Sequence, residues 1–308
     1  MRTTIALLLM PLLVAAAPAP KSELVTEVRA LIGRDNFTAA DKRVRNYYSE
    51  HGATSELAAA ISWMGRGALE RHRLDSATNY AGRARTLVEA LLKGRSIDAD
   101  RFLATALGAA IEVEAQVMSR RHEDSAAIEL LEREIKAYGD TTLGIRLQKN
   151  LNMLVLVGKT APALDLKQYV GRKPEPLASQ KGHPVVLYFW AHWCPECKAM
   201  APVLAKIQSE FGPKGLEFYL PTALYGYTKR GEDATPAEEM RYIEKVRGET
   251  YTGLENAFVP VGVDNLRLYG SSTVPTMVLV DRQGVVRLFQ PGKMTYEELA
   301  PRIAELLR

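Results

Sequence analysis

The chain has 308 residues, 47% of them hydrophobic and 25% charged, with a formal net charge of +4 at pH 7. That balance excludes a disordered chain and leaves enough length for two domains of ordinary size. Lys and Arg are interleaved with Asp and Glu instead of forming blocks, which excludes a polybasic nucleic-acid or membrane-surface binder.

The first residues run Met1-Arg2, then an apolar stretch from Ile5 to Val14, then Ala15-Ala16-Ala17-Pro18-Ala19-Pro20. A positive start, about 10 apolar residues and a small-residue exit predict a secretory signal peptide over 1–19, because the apolar segment is too short to span a bilayer. Cleavage is expected between Ala15 and Ala19; left uncleaved, the segment would be an N-terminal membrane anchor. No cysteine follows it, which excludes a lipid-anchored lipoprotein, and no later stretch reads as long and apolar enough to cross a membrane. The expected location is the periplasm or another extracytoplasmic space, where thiols tend to be oxidised.

Residues 20–157 read as an all-helical domain. From Ser22 to Met153, Ala, Leu, Ile and Val recur at three- and four-residue intervals. Asp75-Ser76-Ala77 and Asp124-Ser125-Ala126 each follow a basic stretch and precede a new apolar-periodic segment, so they are expected to cap the second helices of helical hairpins. The interval between them exceeds the ~34 residues of a tetratricopeptide unit. Tetratricopeptide-like pairing and an irregular helical bundle both fit the pattern.

Residues 158–308 have another texture. Gly158-Lys159-Thr160-Ala161-Pro162 breaks the helical period, and Val185 to Trp190 is a continuous β-branched, aromatic and aliphatic run, as in a strand buried on both faces. Cys194-Pro195-Glu196-Cys197 follows, then Ala199, Met200, Leu204 and Ile207 at helical spacing. Strands are also expected at Leu216–Leu220, Met277–Asp281 and Val285–Phe289, and helices at Pro236–Arg247 and Tyr296–Leu307. This order predicts an α/β domain, a mixed sheet with helices on both faces.

A Cys-x-x-Cys pair serves zinc binding, structural cross-linking or disulfide exchange. Zinc needs about four N or S ligands, whereas the chain has 2 cysteines and 5 scattered histidines. A structural staple gains little from closing so short a loop. In the redox reading, Cys194 at a helix start faces free N–H groups and the positive end of the helix dipole, which favour its thiolate and make it the attacking sulfur. Cys197, one turn later and more shielded, would resolve the mixed disulfide. Pro195 suits the first helical turn.

Phe189-Trp190-Ala191-His192-Trp193-Cys194-Pro195-Glu196-Cys197, preceded by Val157-Gly158-Lys159-Thr160-Ala161-Pro162 and followed by Thr273-Val274-Pro275-Thr276, resembles the TlpA/ResA-like branch of the thioredoxin superfamily. The resemblance covers the C-terminal half. It implies a thioredoxin-like fold, a redox-active Cys194–Cys197 disulfide, a cis Pro275 beside the cysteines, and Val274 offering backbone bonds to a substrate chain. Trp193, Pro195 and Glu196 would shape the site. It further implies protein thiol or disulfide substrates and an upstream redox partner, with no cofactor, metal or nucleic acid.

The chain departs from that family where a buried carboxylate often assists the second cysteine. Tyr188 and Met200 occupy those positions and are expected to be core residues. Glu196 is expected to be solvated in the first helical turn, and His192 to be a solvated loop histidine. Thr222 to Leu254 is longer than a bare thioredoxin fold needs; Tyr225, Tyr227, Tyr242 and Tyr251, with Gly226 and Gly231, fit either an ordered insertion near the active-site edge or a passive surface excursion.

Three functions are compatible with these features. The first is an exported oxidoreductase, acting as reductant or isomerase; the two residues between the cysteines do not set the direction of electron flow. The second is a helical-repeat protein that binds a peptide or protein partner, with an auxiliary redox domain. The third, a thiol peroxidase, lacks the Thr that the Pro-x-x-x-Thr-x-x-Cys pattern requires three residues ahead of Cys194.

Overall fold

Among the described residues, seven helices fill the N-terminal half: α1 (Glu23–Gly33), α2 (Phe37–His51), α3 (Ser55–Glu70), α4 (Leu74–Leu92), α5 (Arg101–Arg120), α6 (Asp124–Tyr138) and α7 (Gly144–Val155). This computed structural model describes residues 22–229 and 231–308, so the expected signal segment lies outside the described residues.

The first six helices form three hairpins closed by one kind of turn. Its middle residue, Asp35, His72 or His122, is left-handed, with φ of 61°, 58° and 64°. The next N–H returns to the carbonyl of Leu31, Ala68 or Met118, each at 2.9 Å. This closure satisfies helix-end carbonyls without a glycine, and Asp and His tolerate the left-handed region better than most side chains.

The same geometry corrects the expected caps. Only one residue follows the left-handed position before the next helix begins, so Arg73 and Glu123 fall at the N-caps and make no side-chain capping bond. Asp75 and Asp124 sit in the first turns instead, where a carboxylate meets the positive helix end. The unequal repeat spacing comes from residues 93–100, which hold a short 3-10 turn at Ile97–Ala99 between the second and third hairpins.

One expectation about membranes also needs correction. Helix α5 has 20 residues, with a stretch between its terminal arginines long and apolar enough by composition to cross a bilayer. Here it is a packed core helix. It lies against α3, α4, α6 and α7, and buries Leu103, Leu107, Ile111, Val113 and Val117.

The C-terminal half contains β1 (Tyr169–Val170), β2 (Val185–Phe189), α8 (Pro195–Ala199), α9 (Ala201–Phe211), β3 (Glu217–Tyr219), β4 (Tyr227–Lys229), β5 (Glu232–Asp233), α10 (Pro236–Thr250), β6 (Val259–Pro260), α11 (Val263–Tyr269), β7 (Thr276–Val280), β8 (Val286–Pro291) and α12 (Tyr296–Leu306). The main sheet has the order β3-β2-β7-β8, with β2 parallel to β3 and antiparallel to β7. Every residue of β2 and β7 is buried, as their unbroken apolar runs predict.

The alternation of side chains divides this sheet between two cores. Val186, Tyr188, Met277 and Leu279 pack with Leu204, Ile207, Ile243, Leu299 and Ile303 from α9, α10 and α12. Val185, Leu187, Phe189 and Val278 face Leu266 and Tyr269 of α11 and Leu156 just beyond α7. Helix α8 stops at Ala199 and α9 resumes at Ala201, because Pro202 has no N–H to continue the ladder and its ring crowds the preceding turn.

The two halves meet where α7 packs on α11. Asn152 Nδ2 donates to the Leu268 carbonyl at 3.2 Å. Gly270, at φ 65°, closes α11 so near α7 that a Cβ there would stand 2.3 Å from the Lys149 nitrogen. Any other residue at 270 would push the helical half away from the loop that follows.

Candidate active site

Strand β2 runs into the cysteine turn at its C-terminal end, and its antiparallel neighbour β7 begins there, with Phe189 opposite Thr276. The pairing brings Cys194 to the Val274-Pro275 segment, 80 residues away in sequence. Cys194 caps α8, Pro195 occupies its first turn, and Cys194 and Cys197 are joined in a disulfide with Cα atoms 5.3 Å apart. The Cys197 N–H donates to Cys194 Sγ at 3.1 Å. A reduced Cys194 therefore has a backbone donor and the positive end of a short helix beside its sulfur, both of which favour a thiolate.

Across from that sulfur, the Val274 carbonyl oxygen lies 3.6 Å from Cys194 Sγ. The Val274-Pro275 peptide is cis. The loop is pinned from both sides: Thr276 Oγ1 donates to the Thr273 carbonyl at 2.6 Å, and the Gly292 N–H donates to the Pro275 carbonyl at 2.8 Å. Trp193 is 43% exposed beside the cysteines and meets Tyr225 edge-on at 5.4 Å. Glu196 is exposed, as expected of a first-turn residue. In the disulfide form Cys194 is 1% exposed and Cys197 fully buried, so exposure separates the two sulfurs less than their sequence positions suggest.

Tyr188 and Met200 are core residues, 0% and 3% exposed. The structure adds a contact that the sequence did not reveal: Tyr188 Oη donates to the Cys197 carbonyl at 3.0 Å. Burial holds the Tyr188 phenol far above its usual range, so it does not supply a base at neutral pH. If Cys197 resolves a mixed disulfide on Cys194, neither Tyr188 nor Met200 gives it a base for the proton it must first lose. Resolution should therefore be slow at pH 7 and gain about tenfold per pH unit below the thiol pKa, because the thiolate fraction grows in that proportion. Stopped-flow decay of a preformed mixed disulfide between pH 6 and 9 checks this; a flat profile would mean that another group already removes the proton.

His192 departs from the expectation of a solvated loop residue. It is 0% exposed, and its Nε2 lies 2.9 Å from Oε1 of Glu239, itself 0% exposed. The rings of Tyr225, Tyr227 and Tyr242 stand edge-on to the imidazole at 5.4–5.6 Å. Burial lowers the His192 pKa below 6.5, opposed by the bond and charge of Glu239. The neutral ring then donates Nε2–H to the carboxylate, while Nδ1 is buried with no partner among the described residues. Glu239 also accepts the N–H groups of Tyr225 at 2.6 Å and Gly226 at 2.8 Å. It thus ties the insertion to the residue two before Cys194.

Three of the four insertion tyrosines line this edge, but Tyr251 belongs to the core, 1% exposed and edge-on to Trp190 at 5.0 Å. Glu239 itself had a readable signal. It shares a helical face with Ile243 and Val246, both buried, and an acid on an apolar face needs a buried partner.

A disulfide at the start of a helix, beside a cis-proline loop at the end of a mixed sheet, defines a thioredoxin-like redox centre. Residues 157–220 match the AhpC/TSA family, and the C-terminal half has a thioredoxin-like fold. The chain is 28% identical over 149 residues to the thioredoxin-like protein YneN of Bacillus subtilis, covering 47% of this chain and 78% of YneN. It is 27% identical over 159 residues to the thiol:disulfide interchange protein DsbE of Pseudomonas aeruginosa, covering 49% and 78%. To the thiol-disulfide oxidoreductase ResA of Geobacillus thermodenitrificans it is 27% identical over 156 residues, covering 49% and 79%. Among solved structures, the exposed lipoprotein thioredoxin Etrx1 of Streptococcus pneumoniae aligns with a TM-score of 0.38 and 26% identity, over 47% of this chain and 99% of that one.

Proposed function

We propose that the chain is an exported protein-disulfide oxidoreductase, working as a reductant or isomerase outside the cytoplasm. The observation that carries this reading is the Val274 carbonyl 3.6 Å from the sulfur of the helix-capping Cys194, a backbone edge set beside a disulfide. A substrate chain pairing there in strand fashion would bring its own disulfide to Cys194. The names of the relatives, DsbE and ResA among them, support disulfide exchange.

In the reducing direction the Cys194 thiolate attacks one substrate sulfur, forming a mixed disulfide and expelling the other substrate sulfur as a thiolate that takes a proton. Cys197, deprotonated, then attacks Cys194, closing the Cys194–Cys197 disulfide and releasing the second substrate thiol. The substrate gains two electrons, and a dithiol partner upstream restores the enzyme. Trp193, Pro195 and Glu196 form the wall around the pair, and Pro275 with Val274 forms the docking side.

The test is redox titration of the full chain against glutathione, together with turnover of a protein disulfide. A single two-electron transition with turnover is expected, and its midpoint separates reductant from oxidant. A disulfide that neither titrates nor turns over would refute the reading. Peroxide consumption is not expected, since Ala191 stands where the peroxidase pattern requires Thr.

A second reading, a helical peptide-binding module, is favoured by the three like hairpins and by a recess of about 860 Å³ lined by Tyr48, Leu57, Ile61 and Leu87. Peptide binding that persists in a Cys194→Ser/Cys197→Ser variant would support it.

A further inference from the structure

The helical half reaches the redox half next to the loop that carries Val274. A recess of about 450 Å³ opens there, walled on the helical side by Arg66, Glu112, Arg120, Arg146 and Lys149 and on the redox side by Ser272 and Thr273. We propose that this recess receives a carboxylate side chain of a polypeptide substrate docked at Val274, so that the helical half selects substrates with acidic residues near the reactive disulfide. The inference rests on the oxidoreductase reading above and deepens it.

Charge is the first argument. The lining carries four cations against two carboxylates, Glu112 and the exposed Glu70. Glu112 Oε2 is shared by three of the cations, at 2.7 Å from Arg146 Nε, 3.5 Å from Arg66 Nη2 and 3.6 Å from Lys149 Nζ. The fourth, Arg120, donates to a neutral acceptor, the Leu69 carbonyl, at 2.5 Å. Glu112 and the exposed Glu70 together do not neutralise four cations.

Burial is the second. The side chains of Arg66, Arg146 and Lys149 are 23%, 17% and 12% exposed, so their excess charge is partly desolvated and poorly screened by salt. Arg66 Nε and Arg146 Nη2 are buried without any hydrogen-bond partner among the described residues. A surplus of positive charge held in this way is costly to the free protein and is relieved by an incoming anion.

Placement is the third. Thr273, which lines the recess and is exposed, directly precedes the residue whose carbonyl faces Cys194 Sγ. A strand advances about 3.3 Å per residue, so side chains one or two positions from a docked cysteine lie within reach of the recess. The close approach of Gly270 to Lys149 and the Asn152–Leu268 bond hold the cationic wall in fixed register with the loop. The helical half is therefore part of the substrate surface.

The experiment uses the full reduced chain, with dithiothreitol regenerating it, and three peptides with one intramolecular disulfide flanked by Glu, Gln or Lys pairs. The kcat/KM should fall in that order by roughly three- to tenfold per step, the size of one or two partly desolvated charge pairs. The differences should sit in KM and shrink as salt rises. Within each variant, the Glu-to-Gln peptide ratio should collapse toward one in Lys149→Gln. It should collapse again in Gln116→Glu, which adds a carboxylate to the lining while removing no charge pair. Equal kcat/KM for the three peptides, or a ratio that survives both variants, would overturn the proposal. Hydroxyethyl disulfide, a neutral disulfide with no flanking residues, is the control for the parent reading. If the wild type fails to reduce it and all three peptides, the oxidoreductase assignment itself falls.

Discussion

Replacing Cys194 with serine should abolish disulfide reduction, whereas Cys197→Ser should still attack a substrate and accumulate as a mixed disulfide. The asymmetry follows from where the two sulfurs stand. Cys194 caps α8 and receives the Cys197 N–H at 3.1 Å, so the reduced sulfur has a donor and a helix end to stabilise its charge. Cys197 lies inside that helix, fully buried, with its carbonyl held by Tyr188, and has no comparable stabilisation. A hydroxyl at 194 is a poor nucleophile at neutral pH, so turnover should drop below detection. A hydroxyl at 197 leaves the first step intact and blocks only release. Non-reducing electrophoresis after incubation with an oxidised protein substrate reads both outcomes. Equal trapping by the two variants would overturn the assignment of attacking and resolving sulfurs.

Features carried by contiguous residues were legible in the sequence. The strand, turn and helix around Cys194 could be read because β2 is an unbroken apolar run and Pro195 marks the first helical turn. The switch from helical periodicity to strands near Gly158 was visible for the same reason. Features created by distant pairing were not. His192 looks like a loop residue until α10 brings Glu239 against it from 47 positions away. The contact of Gly270 with α7 depends on packing between the two halves, and nothing near Gly270 announces it. Strands β1 and β6 have two residues each, and α11 has seven, too short for either period to register. The misplaced caps at Asp75 and Asp124 show a subtler limit. The left-handed turn satisfies the preceding helix through its backbone, and that geometry moves the cap position off the residues whose side chains would suit it.

The same distant pairing sets the second large effect: Glu239→Ala should destabilise the C-terminal domain by about 2–4 kcal/mol, since a buried donor left unsatisfied costs about 1–3 kcal/mol and more than one loses its acceptor here. Three donors converge on this carboxylate, the buried His192 ring, the N–H of half-buried Tyr225 and the N–H of exposed Gly226, and the first of them is left without its partner inside the protein once the carboxylate is gone. Glu239→Gln should cost less, about 1–3 kcal/mol, since an amide oxygen can accept from one side but its NH2 faces a donor on the other. Urea unfolding should show both as lower midpoints with an unchanged slope.

The pH dependence has a defined sign. His192 is held neutral, with its pKa below the unfolded value of 6.5, by burial and by the nearby Lys198, while Glu239 pulls the other way. The unfolded chain therefore binds a proton near pH 6.5 that the folded chain refuses. The contribution of His192 is complete above that pH and is lost as the pH falls from it toward the folded pKa. In Glu239→Ala nothing opposes the desolvation, so the loss should continue to lower pH than in the wild type. A midpoint within experimental error of the wild type for Glu239→Ala would show that water replaces the carboxylate, and that the insertion is not held to the cysteine turn through Glu239.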